Sequence, residues 1–229
     1  ETSVLWSSAE FPQLHLLPLT QGLRLQYFQR WATAAGLTES ARETLQGKLL
    51  SHQHELHVQE LASTPMQLAI LLHLLQRKGL LPQQRTELYR EYIQTFLDRE
   101  ERNDKEPLLS EERTVVEQVH QFLAWRMQAA VDSGTSSGSL AGTVIQQLLR
   151  EYLMDQPVDL EFAESLFASF QARVMCLVER EGAYEFDVQS LREYFAAVYL
   201  AATATTRGGA GKDDRLVALL ARPYWNNVT

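Results

Sequence analysis

The sequence predicts a mainly α-helical fold with a helical domain, a winged-helix domain and one small β-hairpin at about 174–188. Three observations predict it. Apolar residues recur at helical spacing through most of the chain, the period shortens to two between 174 and 188, and turn-forming clusters at 132–142 and 205–215 separate the runs.

The elements follow in order. The longest apolar run, "MQLAILLHLL" at 66–75, is preceded by Pro65, which suits the first position of a helix because its missing N–H has no intrahelical partner there. In "RTELYREYIQTFLDREERN", Tyr89, Tyr92, Ile93 and Phe96 fall at i, i+3, i+4 and i+7, giving a helix with one core-facing side. Ser110, followed by Glu111 and Glu112, reads as an N-cap with acids in the positive first turn, opening a helix through Val116, Val119, Phe122 and Met127. "DSGTSSGSLAG" at 132–142 is small and polar and reads as a mobile loop between helices. Two helices are expected at about 143–154 and 159–172.

The period-2 segments "VMCLVE" and "AYEFDV" then flank Gly182, with Tyr184, Phe186 and Val188 alternating with Glu185 and Asp187. This is a hairpin with one buried face. Ser190 and Glu193 form the pattern of a capping box for a helix whose Leu191, Tyr194, Phe195 and Val198 share a face. Helices, a hairpin and a closing helix make a winged-helix pattern. A further short helix is expected after 205–215, and the ending close to Tyr224 and Trp225 has the look of an excised fragment.

Composition narrows the function classes. The 229 residues are 45% hydrophobic, enough for a sizeable core. With 21 basic and 29 acidic residues the net charge is −8 and no basic block stands out, which disfavours nucleic acid and anionic membrane as partners. Lone Cys176 forms no internal disulfide, and "ETSVLWSSAEF" lacks the form of a signal peptide, so a cytoplasmic location is expected. The run at 66–75 is too short to span a bilayer.

Candidate chemistry is sparse. "GGAGKDD" fails as a phosphate loop because Thr206 stands where the first glycine belongs and Asp213 replaces the magnesium-ligating hydroxyl. His52, His54 and His57 with Glu55 read as an exposed helix face, short of the convergent ligand set and supporting groups a metal needs. Cys176 has no designated base and reads as an inert thiol. Asn227-Val228-Thr229 matches a glycosylation sequon that a cytoplasmic chain does not expose to its transferase. In a DNA-binding winged helix the helix before the hairpin reads bases; here it carries Asp159, Glu161 and Glu164 against Arg173, and phosphates repel it.

Taken together, "LASTPMQLAILLHLLQRKGLLPQQRTELYREYIQTFL" and "YEFDVQSLREYFAAVYL" resemble the NACHT branch of the STAND NTPases, in the part that follows the nucleotide-binding core, and "FDVQSLREYFAA" with "RPYWNNVT" looks closest to bacterial antiviral members. The resemblance implies that 1–62 complete a first helical domain, that 63–197 form the winged-helix domain, and that 198–229 begin a further helical region. It implies that Pro65 packs on the adenine of bound nucleotide. The family often places a phosphate-contacting histidine where this chain has Val188, so Gln189 or, better, Arg192 is the expected substitute, a guanidinium being able to reach a phosphate from a helix's first turn. The competing reading of Arg192 is an ion pair on an exposed face.

The implied function is a non-catalytic regulatory segment of an antiviral signalling ATPase. ATP or ADP with magnesium belongs to the parent protein, none is expected on this chain alone, and the expected partners are the nucleotide-binding domain of the same parent chain and further copies on activation. In that family the strand-to-helix junction at 184–200 moves as a unit between ADP and ATP states. The alternatives are a stand-alone helical interaction module and a winged-helix DNA-binding regulator.

Overall fold

The computed structural model describes residues 17–102, 107–154, 160–171, 176–180, 182–204, 211–220, 222 and 225. The chain divides into two compact units, Glu1–Gln76 and Arg77–Thr229. The division falls inside the helix that begins at Pro65, whereas the sequence expectation starts the second domain at 63. A helix whose body is buried nearly all round, from Gln67 to Leu75, belongs with the elements that surround it.

The first unit contains α1 (Gln21–Ala34), α2 (Glu39–Ser51), α3 (Leu56–Leu61) and most of α4 (Pro65–Lys78). Threonines start three of these helices: Thr20 and Thr38 accept from Leu23 N and Ala41 N at 3.3 Å, and Thr64 from Gln67 N at 3.4 Å, each satisfying an N–H that the helix leaves unpaired. Phe28, Ala32, Leu45, Leu49, Val58 and Leu61 form the core with the apolar body of α4. The histidines depart from expectation. Residues 52–54 are a turn rather than a helix face, and His52 Nδ1 and His57 Nε2 lie 2.8 and 3.0 Å from the two oxygens of Glu55. Glu55 Oε1 is hydrogen-bonded to the partly buried His52 ring, whereas Oε2 and His57 Nε2 are close without hydrogen-bond geometry.

The second unit runs α5 (Arg85–Arg102), α6 (Pro107–Asp132), β1 (Ser139–Ala141), α7 (Gly142–Leu153), α8 (Leu160–Gln171), β2 (Leu177–Arg180), β3 (Ala183–Phe186), α9 (Gln189–Ala202) and α10 (Lys212–Leu220). The predicted face of α5 is the buried one: Tyr89, Tyr92, Ile93 and Phe96 are each at most 3% exposed. The next helix starts at Pro107 rather than at Ser110, with a non-helical residue at Glu112 (φ −128°, ψ 31°) dividing a first turn from the long remainder. Val116, Val119, Leu123 and Met127 then face inward without exposure.

The three strands form an antiparallel sheet in the order β1-β3-β2, with Leu140 and Glu179 on either side of Tyr184. Helix, strand, two helices and two strands in this order are the winged-helix architecture, and the fold is mainly α with a small sheet. The hairpin turns at Gly182 (φ +79°), a backbone that only glycine adopts without strain. Tyr184 and Phe186 are buried while Ala183 and Glu185 are half-buried, as the alternation predicts.

The stretch 132–142 departs from the expected loop by containing β1 and the first residue of α7. It is not simply a loop, because Ser136 accepts from Gly138 N and Ser139 N at 3.0 and 3.1 Å and so turns the chain into β1. Among the described residues no helix is long and apolar enough to cross a membrane.

Candidate functional site

The two residues singled out by sequence fall in different units. Pro65 occupies the first position of α4, where Thr64 O accepts from Leu68 N at 2.9 Å. Its ring is exposed, as is Met66 beside it, and Ser63 Oγ donates to Gln67 Oε1 at 3.0 Å to fix the turn beneath them. Two neighbouring apolar side chains stand open at a rigid helix start.

Arg192 lies in the junction between β3 and α9. The connection is only Asp187 and Val188, with Asp187 N bonded to Cys176 O at 3.1 Å and Val188 buried as the residue preceding α9. Leu191 N and Arg192 N both reach Val188 O, at 3.1 and 3.3 Å. The expected capping box is absent: no side chain caps α9, and Ser190 Oγ is buried inside the first turn without a hydrogen-bond partner. Glu193 turns instead toward α5, accepting from Arg85 Nη2 at 3.2 Å and from Gln189 Nε2 at 2.9 Å. The helix starts two residues too early for the box, because Val188, extended at φ −126° and ψ 119°, takes the N-cap position that Ser190 would need.

The guanidinium of Arg192 points inward. It is 8% exposed, donates from Nε to Gln128 Oε1 at 3.1 Å, and from Nη1 to the carbonyl of Gly138 at 3.4 Å. An exposed ion pair is therefore not its setting. Burial pulls its pKa down, and the nearby charges of Glu193 and Glu185 oppose the shift. A buried cation held by an amide and a carbonyl, with no carboxylate in contact among the described residues, is tied by geometry more than by charge neutralisation.

Gly138 completes the arrangement. Its φ is +111°, and a Cβ built there would overlap Arg192 Nη1. One residue of the 132–142 segment is thus shaped to α9. Sequence reasoning missed Gln128 and Gly138, but a signal for the burial existed: Arg192, Phe195, Ala196 and Tyr199 share the i, i+3, i+4, i+7 stripe.

The junction is packed on every side. Phe186 and Phe195 lie against His120 of α6, with ring centroids 6.3 and 5.8 Å away. His120 Nδ1 is 2.8 Å from Val116 O, and burial pushes its pKa down to about 4. Tyr89 of α5 meets Tyr194 at 5.7 Å. Burial, and secondarily Asp187, pushes the Cys176 thiol up to about 12, which leaves it protonated at neutral pH.

The remaining motifs settle locally. Gly211 N donates to Asp214 Oδ2 at 3.0 Å, so an acid already occupies the start of α10 in the stretch that fails as a phosphate loop. On α8, Glu161 and Glu164 are exposed and Arg150 lies 3.7 Å from Glu164; Asp159 and Arg173 lie outside the described residues. Among the described residues no group of three His, Cys, Asp or Glu side chains could hold a metal ion. No family model matches the chain, and no curated protein matches its sequence.

Proposed function

We propose that the chain is the regulatory helical and winged-helix segment of a NACHT-type STAND ATPase of antiviral defence, acting in the cytoplasm by closing over ADP or ATP held with magnesium on the nucleotide-binding domain of the same parent and by controlling assembly with further copies. The observation that supports it best is the junction at 186–193. A strand passes through two residues into a helix whose first turn is bonded to α5 through Arg85, to α6 through Gln128 and to the β1 segment through Gly138.

An element fixed to three neighbours moves as one body or not at all, which is what control by two packed states requires. Pro65 is assigned to the adenine and the phosphate contact to Arg192. Arg192 makes that contact only in a state where its guanidinium leaves Gln128 and Gly138, so in the state described it positions α9.

The test compares Pro65→Ala in the parent protein with the same change in this chain. Loss of a small apolar surface beneath the base weakens nucleotide retention by about 1 kcal/mol, or several-fold in ADP occupancy after purification. Pro65 is exposed, so the chain itself changes stability by less than about 0.5 kcal/mol. Unchanged occupancy together with a less stable chain would make Pro65 a helix start and nothing more. ATP and ADP titrated calorimetrically into this chain alone should give no heat of binding; magnesium-dependent micromolar affinity contradicts the division of labour.

A further inference from the structure

The first unit contains a cleft of about 300 Å³ between the start of α1, the end of α2 with its following turn, α3 and the first turns of α4. That volume is at the lower end for small-molecule sites. Its floor is aliphatic, from Leu25, Leu49, Val58 and Leu68, and no Phe, Tyr or Trp is among the described residues that line it. Among the described residues the ionisable side chains on its wall are Arg24 and His54, with no Asp or Glu, although acids outnumber bases by 29 to 21 in the chain.

Arg24 is aimed by two backbone carbonyls. Nε donates to Leu19 O at 3.0 Å and Nη2 to Gln59 O at 3.3 Å, and neither partner neutralises the charge. Burial lowers its pKa with no carboxylate opposing the shift. Thr20 and Gln21, at the positive end of α1, border the same space. Gln21 Nε2 and Gln53 Oε1 meet across it at 2.5 Å.

We propose that this cleft binds a small amphipathic organic anion, an aliphatic carboxylate whose chain lies on the leucines and whose head group meets Arg24. A part-buried cation held only by backbone carbonyls beside an apolar floor favours an anion with an apolar body, because the carboxylate pairs with the guanidinium while the chain covers the floor. No Phe, Tyr or Trp stands among the described lining residues to stack on a base, and His54 is the single ring there. The proposal is independent of the nucleotide reading of Pro65, which does not line the cleft.

The experiment titrates the isotopically labelled chain with decanoate, with 1-decanol and with ADP, reading the Arg24 Nε–H and Gln53 side-chain resonances and measuring Kd by calorimetry. Decanoate is expected to saturate and to shift both signals, with decanol about tenfold weaker, as loss of a charged hydrogen bond predicts. Arg24→Gln should weaken decanoate by a similar factor. Leu50→Glu on the partly exposed rim keeps Arg24 and its carbonyl partners, adds a like charge, and should weaken decanoate while sparing decanol, so the test survives if Arg24→Gln does not fold. Equal affinity for decanol and decanoate, no saturable shift, or ADP competing at the same resonances would each overturn the assignment.

Discussion

The contact between Gly138 and Arg192 makes the sharpest test of how the winged-helix unit is held. Gly138→Ala places a side chain on a backbone at φ +111°, which costs about 1–3 kcal/mol in strain, and forces the guanidinium off the Gly138 carbonyl and Gln128. Hydrogen bonds to charged groups contribute about 1.5–3 kcal/mol, but a released guanidinium regains water, so the net loss from displacing it is about 1 kcal/mol. The single change should therefore destabilise the second unit by about 3 kcal/mol.

Arg192→Ala should cost about 2 kcal/mol through lost packing and hydrogen bonds. With the guanidinium gone the new methyl has nothing to overlap, so the double variant should be less destabilised than the sum by about 1 kcal/mol. Native-state hydrogen exchange at amides of β3 and α9 measures this for the second unit by itself. Additivity within about 0.3–0.5 kcal/mol would refute the reasoning, because the two residues would then act independently.

Three further outcomes follow from the same packing. His120 has a folded pKa of about 4 against 6.5 ordinarily, so between those values the unfolded chain binds more protons; stability is complete above 6.5 and falls with decreasing pH by up to about 1.4 kcal/mol per unit, to a total of about 3 kcal/mol. Urea unfolding from pH 7 to pH 4 should show this slope, and His120→Gln should flatten it. The Cys176 thiol, pushed up to about 12, should resist alkylation at neutral pH in the folded chain and react on denaturation, as mass spectrometry would read. Glu193→Gln removes the charge facing Arg85, and since Arg85 is 38% exposed the expected loss is only about 1 kcal/mol, measurable by urea unfolding.

How much of this was legible depended on the length of each pattern. The face of α5, the extents of α7 and α8, and the hairpin about Gly182 follow from periodicity that holds over several turns or strand residues. β1 was hidden because Ser139, Leu140 and Ala141 have little strand propensity; pairing with Ala183–Glu185 creates that strand. The capping box failed for a similar reason: S-x-x-E marks a helix start by spacing alone, but the strand runs into Val188 and carries Ser190 inside the first turn.

For the site, the exposed ring of Pro65 at a helix start is a local property and readable. The setting of Arg192 is not, because its partners lie 64 and 54 residues away. The cleft beside Arg24 depends on four separated segments and left no mark in the sequence.

The strand that leads into α9 is the middle one of three. An edge strand can peel away from its sheet by breaking one row of hydrogen bonds, but β3 carries a row on each side. Tilting α9 away from the sheet would therefore shear both rows together, a far steeper resistance than the two-residue connection itself offers. The sheet converts a short linker into a stiff mount, and any motion transmitted through α9 must be taken up where the mounted block meets the rest of the unit.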